Sequence, residues 1–241
     1  MQSAIYVATS AQRVTQTQLV TIANNIANAN TVGYRAESVD FKSLVSNSGR
    51  DSVHFPTVSK MHSSPVQGTL MKTGNPLDVS LAGEGWFAIE TPAGTAYTRD
   101  GRMQMTAFGE LQSINGHPML DSGGAPIQLD PSGPPPEIAS DGRILQDGLQ
   151  VANIGIYEID QSNFSSRYEN SSYLSKVAGI PIAAGSTTTL SQGYTEASNV
   201  NPMHELAKLI AVTRNFEHAT STIEKADQSI GAAIRTLGDS N

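Results

Sequence analysis

The two ends of the chain carry hydrophobic positions at helical spacing. Near the N-terminus, Leu19, Ile22 and Ile26 are separated by three and then four residues. That spacing places them on one face of a helix. It predicts a helix over residues 3–30, and Gly33 is a candidate for the cap at its C-terminal end.

The last 40 residues show a more regular pattern. Large apolar residues recur at every seventh position, and a smaller apolar residue follows each of the first four after three positions. The large set is Leu209, Phe216, Ile223, Ile230 and Leu237, and the small set is Val212, Ala219, Ala226 and Ala233. This is the a/d repeat of a coiled coil. Asn201 and Pro202 predict its start, since Asn is a good N-cap and Pro fits the first helical position.

Between these ends the pattern changes to short alternating runs separated by turn dipeptides, which is typical of β-structure. Strands are predicted at 76–81, 86–90, 95–99, 102–106, 110–114 and 150–159. Turns are predicted at Asp100-Gly101, Asn115-Gly116, Asp141-Gly142 and Asp147-Gly148, and the first of these is the best hairpin candidate.

The predicted fold class is therefore mainly β, with long helices at both termini that pair with each other as a coiled coil, and with an all-β domain in the central part of the sequence. The predicted divisions are an N-terminal helix in 1–34, an extended linker in 35–70, a β domain in 71–190, a linker in 191–200 and a C-terminal helix in 201–241. The linker assignments rest on their Ser, Gly and Thr content.

Composition removes several classes of function. The 241 residues include 15 Lys and Arg against 22 Asp and Glu, a net charge of −7, which is not the basic footprint of a nucleic-acid binder. The chain has no cysteine, which excludes disulfides and thiolate chemistry. No run approaches the length of a membrane span. The first residues lack the features of a signal peptide, so we expect a cytosolic protein or one exported without signal cleavage.

Arg13 is the one charged residue among the first 34. A solvated helix face normally carries charged side chains, so this polar but uncharged helix suits close packing. A long helix with a single apolar stripe is also marginal alone. We therefore expect neighbouring subunits to complete the two ends. An ordinary helical hairpin packed on the β domain is the alternative.

Candidate catalytic and metal-binding residues form no specific pattern. The histidines are His54, His62, His117, His204 and His218, and none lies four residues from another. Asp100, Asp121, Asp130, Asp141 and Asp147 could offer a carboxylate pair for glycoside hydrolysis, but their sequence context favours turns. Trp86, Phe87 and Tyr97 could form a sugar platform, and core packing is the favoured interpretation. We expect no catalytic residue, metal or cofactor.

Three stretches resemble the bacterial flagellar rod and hook proteins. The first is IYVATSAQ together with ANNIANANTVGY at 23–34, and the second begins TGNPLDVSLAGEGWFAIE. The third begins TEASNVNPMHELAKLIAV near the C-terminus. These matches cover over half of the chain in the order found in that family. The length and the residues RAESVDFKSLVSNSG favour a proximal rod protein over the distal rod protein FlgG, which stays the alternative within the family.

The resemblance implies a structural rod subunit of the flagellar basal body, exported through the flagellar type III apparatus and located in the periplasm. Such proteins form a hollow rod, with terminal helices in the inner tube and the β domain outside. The rod transmits torque and conducts exported subunits. The implied partners are further copies of the chain, rod subunits of the FlgB, FlgC and FlgG type, the export apparatus and, as an additional contact, peptidoglycan. The alternative from another class is a polysaccharide-binding or polysaccharide-hydrolysing β domain with oligomerising helices.

The predicted assembly interface follows the apolar stripes and the Asn-rich signature. It comprises Ile5, Leu19, Ile22, Asn24, Asn25, Ile26, Asn28, Asn30, Leu209, Val212, Phe216, Ala219, Ile223, Ala226, Ile230, Ala233 and Leu237. Asn is a poor helix-interior residue, so the four Asn amides are expected to bond across subunits, or else to fray the end of the helix. Phe41 and Val45 match the loose export pattern implied by the family.

Overall fold

The computed structural model of the chain describes residues 2–46, 53–182 and 188–238, which form two compact units. The terminal unit contains the described residues of 1–27, 37–64 and 201–241, and the β unit contains those of 28–36 and 65–200. The prediction of a mainly β protein with a long helix near each terminus is confirmed.

The terminal unit contains α1 (Gln2–Ala27), α2 (Pro202–Gly238), β1 (Glu37–Ser46) and β2 (Val53–Ser63). The strands of the β unit are β3 (Leu70–Lys72), β4 (Val79–Ala82), β5 (Trp86–Thr91), β6 (Gly94–Thr98), β7 (Met103–Met105), β8 (Leu111–Ser113), β9 (Glu137–Ile138), β10 (Arg143–Gln146), β11 (Leu149–Asn153), β12 (Ile156–Glu158), β13 (Phe164–Tyr168), β14 (Ser172–Ser175), β15 (Ile180–Pro181), β16 (Thr189–Gln192) and β17 (Tyr194–Glu196). A 3₁₀ turn lies at Gln161–Asn163.

In the terminal unit, α1 and α2 lie side by side in opposite directions. The amide of Gln12 donates to the Thr220 hydroxyl at 3.4 Å, whereas Asn25, near the other end of α1, bonds Glu205 in the first turn of α2. The predicted start of α2 is confirmed, because the Asn201 side chain accepts the His204 N–H at 3.1 Å as an N-cap.

The prediction of an extended linker over residues 35–70 differs from the structure. β1 and β2 form a long antiparallel hairpin that runs from the Glu37–Ser63 pair to the Ser46–Val53 pair, and α1 packs against it. The linker prediction rested on the Ser-rich composition of this stretch. Composition is a poor guide here, because the hydrogen bonds between paired strands are made by backbone groups whatever the side chains are.

In the β unit, the central sheet has the strand order β13-β14-β6-β5-β12-β15. Successive side chains of a strand point to opposite faces of its sheet. Trp86 and Ala88 of β5 belong to one hydrophobic cluster, and Phe87 and Ile89 belong to the other. The sheet is therefore covered on both faces at this strand.

The larger cluster gathers side chains from most of the smaller sheets as well. Its buried members are Val79, Leu81, Phe87, Ile89, Ala96, Met103, Leu111, Met119, Ile127, Leu129, Ile138, Ile144, Ile154, Ile156 and Leu190. The second cluster consists of Trp86, Ala88, Tyr97, Leu120, Tyr157 and Tyr173. Most large buried side chains of the described residues thus belong to the β unit.

Two of the predicted turn dipeptides differ in whether they form a hairpin. Asp147-Gly148 joins the paired strands β10 and β11 with φ values of 52° and 73°, as a tight hairpin turn requires. The prediction of a hairpin at Asp100-Gly101 is wrong, because β6 pairs with β5 and β14 whereas β7 pairs with β8. Asp100 is buried instead, and its carboxylate accepts hydrogen bonds from Nε and Nη2 of the Arg102 guanidinium.

The predicted helix cap at Gly33 is also wrong. α1 ends at Ala27, and Gly33 lies in the β unit with φ +70°. A Cβ at this position would lie 2.3 Å from the Asp100 backbone nitrogen. Glycine is required here by a close approach of two backbones as well as by its dihedral angle.

Candidate assembly site

Asn25 joins three elements of the terminal unit. Its amide nitrogen donates to the Glu37 carbonyl at 2.9 Å, and its amide oxygen accepts the Glu37 N–H at 2.9 Å. The same nitrogen donates to the Glu205 carboxylate at 3.1 Å. Asn25 is 3% exposed, so these bonds fix the end of α1 against the first residue of β1 and the start of α2.

Glu205 is the charged member of this cluster. It is 5% exposed, and its second carboxylate oxygen accepts a hydrogen bond from the Lys208 ammonium at 2.6 Å. A buried carboxylate is costly unless it is paired and hydrogen-bonded. Glu205 meets both conditions, and its position in the first turn also places its negative charge near the positive end of the helix dipole.

The predicted seam of α2 lies on its less exposed face. Val212 is buried, whereas Leu209, Phe216, Ala219, Ile223 and Ala226 are half-buried. Ile5, Ile230, Ala233 and Leu237 belong to the predicted interface, but their side chains lie outside the described part of the structure. One chain by itself therefore covers this seam only in part.

On α1, the predicted interface residues divide between covered and exposed positions. Ile22 is buried, and Leu19 and Ile26 are half-buried. Of the four Asn residues, Asn25 bonds within the chain as described above, Asn24 and Asn30 are exposed, and half-buried Asn28 accepts the Thr31 hydroxyl at 3.0 Å. Bonding of these amides across subunits stays a prediction.

The proposed export residues Phe41 and Val45 lie on β1. They are 38% and 52% exposed, and their spacing of four places them on the same face of the strand. Their role in export stays a prediction.

The β unit contains a charged cluster that the sequence did not reveal. Glu196 is 1% exposed, and its carboxylate lies 2.8 Å from the guanidinium of Arg35 and 3.3 Å from that of Arg99. It also accepts the Gly68 N–H at 3.1 Å. The three charged residues come from 28–36, the end of β6 and β17, so the cluster fastens distant parts of the chain to one another.

Burial has an electrostatic effect on this cluster. Burial lowers the pKa of Arg99 to about 10; the positive charge of Arg35 acts in the same direction, whereas the Glu196 carboxylate raises the pKa and offsets part of this effect. The Arg99 guanidinium also lies 5.5 Å from the centre of the Trp86 ring. Glu196 is therefore the group that makes burial of two guanidinium groups tolerable.

The residues considered for sugar chemistry have structural positions. Trp86, Phe87 and Tyr97 are at most 5% exposed and belong to the core clusters, as the favoured interpretation predicted. The carboxylates of Asp121 and Asp141 accept backbone N–H groups two residues further along, which is the geometry of Asx turns.

One candidate histidine, His117, has a carboxylate partner in the β unit. His117 Nε2 lies 2.9 Å from the Glu169 carboxylate. Within the described residues, no group of three or more His, Asp or Glu side chains could hold a metal ion. In that part of the chain, no helix combines the length and the hydropathy needed to cross a bilayer.

Comparison with known families places three matches along the chain. Residues 5–35 match the flagella basal body rod protein family, residues 80–152 match the D1 domain of the flagellar hook protein FlgE/F/G family, and residues 191–236 match the C-terminal region of the flagellar basal body rod FlgEFG proteins. These matches include α1, most strands of the β unit and nearly all of α2.

Curated relatives match over nearly the whole chain. A flagellar basal-body rod protein FlgF from Mesorhizobium japonicum is 47% identical over 99% of both chains, and one from Rhizobium meliloti is 41% identical over 100% of both. A FlgG rod protein from Bacillus subtilis is 30% identical, with 95% of this chain and 96% of the relative covered.

The chain therefore belongs to the flagellar basal-body rod protein family, and the resemblance found in its sequence is confirmed. It is a FlgF-like rod protein, since the FlgF relatives from the two rhizobial species share more of its residues than the FlgG relative does. The relatives are rod proteins, so this chain is a structural protein of the flagellum and not an enzyme.

Proposed function

We propose that the chain polymerises through α1 and α2 into the proximal segment of the flagellar rod. In this assembly the two helices form a coiled coil in the inner tube of a hollow shaft, and the β unit faces outward. The shaft transmits torque and conducts exported subunits. FlgF and FlgG relatives of the same family support this assignment.

One observation of the terminal unit supports polymerisation in particular. Among its described hydrophobic side chains, Ile22 and Val212 are buried, whereas the other described seam positions of α2 are half-buried. A long helix obtains most of its stability from tertiary packing of its apolar face. Contacts from further copies would supply the packing that a single chain lacks.

The proposed partners follow from the rod assignment. They are further copies of this chain, rod subunits of the FlgB, FlgC and FlgG type, and the flagellar type III export apparatus, with peptidoglycan as a further contact of the β unit. The proposed location is the periplasmic rod of the basal body, reached without cleavage of a signal peptide. Phe41 and Val45 are the proposed export contacts.

The test uses a strain whose chromosomal copy has been deleted and whose swimming is restored by the wild-type chain supplied on a plasmid. Phe216→Asp places a carboxylate in the seam, where an uncompensated charge costs several kcal/mol. We expect swimming in soft agar to be lost, with few or no rods in purified basal bodies.

The matched control is Asp141→Asn, which removes the charge of a half-buried turn carboxylate in the β unit. It should swim like wild type. Normal swimming with Phe216→Asp would refute assembly through the α2 seam, provided that the variant is present at wild-type level in the cell.

A further inference from the structure

Most of the exposed residues that the structure describes on α1 form a regular stripe. The outer stripe consists of Tyr6, Thr9, Arg13, Gln16, Val20, Ala23 and Ala27. Its spacings alternate between three and four residues, which keeps all seven positions on one side of a helix. Tyr6 is 67% and Val20 is 56% exposed, so two large apolar side chains face outward on this stripe.

The charge content of the outer stripe sets it apart from an ordinary solvent-facing helix. Arg13 is its one charged residue, and the exposed face of α2 carries Lys208, Arg214, Glu217, Glu224 and Lys225 within a similar length. Solvated helix faces are normally charged. The outer stripe therefore has the character of a packing surface with a single cation near its middle.

A groove of opposite charge lies elsewhere on the terminal unit. The acidic groove has a volume of about 230 Å³ and is lined by Gln18, Thr21, Ile22, Glu37, Ser38, Val39, Glu205, Lys208, Ala211 and Val212. Two carboxylates and one ammonium group give this lining a net charge of −1. Ile22, Val39 and Val212 give the same groove an apolar floor.

The walls of the acidic groove are held in place by the Asn25 cluster. Asn25 binds the backbone of Glu37 on one wall and the carboxylate of Glu205 on another, and Lys208 binds the same carboxylate. Hydrogen bonds made by both carboxylate oxygens of Glu205 keep its negative charge at a fixed position. A groove whose walls are fixed before binding loses less conformational entropy when a partner enters.

We propose that the outer stripe of one copy packs into the acidic groove of a second copy, with Arg13 facing the carboxylate of Glu37. The two surfaces differ in residues and are opposite in charge. A contact between unlike surfaces is heterologous, and it generates an open helical filament when the rotation does not close. This inference rests on the proposed rod function and gives it a specific subunit contact.

Charge reversal tests the pairing in the strain described above. Arg13→Glu and Glu37→Arg should each abolish swimming, because each places like charges at the contact. The double variant Arg13→Glu/Glu37→Arg should restore it, since opposite charges face each other again. Restoration also shows that neither substitution by itself prevents folding.

The matched control is Lys42→Glu. Lys42 is an exposed cation on β1 that lines neither the acidic groove nor the outer stripe, and its substitution changes the net charge as Arg13→Glu does. It should swim normally. Swimming of the Arg13→Glu variant at the wild-type rate, or failure of the double variant to recover, would overturn the pairing.

Cysteine cross-linking tests the same contact directly, because the chain has no cysteine of its own. Gln16→Cys lies one turn from Arg13 on the outer stripe, and Ser38→Cys lies on the acidic groove. The two variants are expressed together with different epitope tags, and basal bodies are purified and oxidised. A disulfide needs a Cα separation below about 7 Å, so a band carrying both tags is expected from the proposed contact.

A Ser132→Cys variant, with its cysteine on an exposed turn of the β unit, replaces Ser38→Cys as the control and should give at least about tenfold less mixed disulfide. If both tagged chains are present in the basal bodies and no mixed disulfide forms, the proposed contact is refuted while the rod function stands. Absence of both chains from basal bodies would instead refute the rod function, and the contact with it.

Discussion

At the scale of single residues, Asn25 has a role that helix propensity would not suggest. Asn is unfavourable inside helices because its side chain competes for backbone hydrogen bonds. Here that same capacity is directed to the Glu37 backbone and to Glu205, outside its own helix. The small unfavourable helix propensity of Asn25 is therefore offset by contacts that join α1, β1 and α2.

Asn25→Ala should reduce the free energy of unfolding of the full-length chain by about 2–4 kcal/mol. It removes the hydrogen bonds to Glu37 and to a buried carboxylate, and each buried group left unsatisfied costs about 1–3 kcal/mol. Urea denaturation followed by circular dichroism at the helix signal measures the change.

Asn30→Ala is the control for this prediction. It removes the same side chain from the same Asn-rich segment, but Asn30 is exposed and lies beyond the end of α1. A change below about 0.5 kcal/mol is expected. Equal effects of the two substitutions would mean that burial and the bonds of Asn25 do not stabilise the helix pair.

At the scale of secondary-structure elements, long-range contacts determine which segments are fixed to one another, and the local sequence pattern does not show this. Residues 28–36 leave α1 and enter the β unit, where Tyr34 is fully buried and Arg35 is 2% exposed. β17 brings Glu196 to the same place, and β6 ends next to Arg99. The charged cluster is thus a point where three separate elements are fixed to one another.

Glu196→Gln should destabilise the β unit by about 3–5 kcal/mol, since removing one partner of a buried pair leaves an uncompensated charge. In this case two guanidinium groups lose their counter-charge, while the shape of the side chain is kept. Thermal unfolding followed by the Trp86 fluorescence reports on this unit, because Trp86 lies beside Arg99 and is the sole Trp in the chain.

Glu90→Gln serves as the comparison, because it removes the same charge from an exposed position on β5. Its melting temperature should stay within about 2 °C of wild type. A Glu196→Gln melting temperature equally close to wild type would show that the cluster contributes little to stability.

At the scale of the whole molecule, stabilising contacts are distributed unevenly. The β unit contains two hydrophobic clusters, whereas the terminal unit buries Ile22 and Val212 among its described hydrophobic side chains. Local opening is easiest where buried apolar contacts are fewest. We therefore expect the terminal unit of the unassembled chain to open at lower free energy than the β unit.

Limited proteolysis of the purified chain, with fragment masses read by mass spectrometry, tests this difference. Cleavage should occur first within 1–27, 37–64 and 201–241, leaving residues 28–36 and 65–200 protected. The Glu196→Gln variant should lose that protection. Equally rapid cleavage inside 65–200 of the wild-type chain would contradict the expected order of stability.

Several features of the fold could be predicted from local sequence. The start of α2 and the strands around Trp86 and Tyr97 follow from cap residues and from hydrophobic periodicity, which neighbouring residues encode directly. The hairpin in 37–63 could not be predicted in this way, because its ladder depends on pairing between two strands of polar composition.

The sequence by itself determined the class of this protein, namely a rod-family chain with a helix near each end and an apolar repeat along the second. Only the tertiary structure decided which polar residues act together. Asn25 lies 180 positions from Glu205, and Arg99 lies 97 positions from Glu196. Local periodicity does not show which residues pair over such distances, because these contacts form only when the folded backbone brings distant segments together. Burial then favours the pairing, since an unpaired buried polar group is costly.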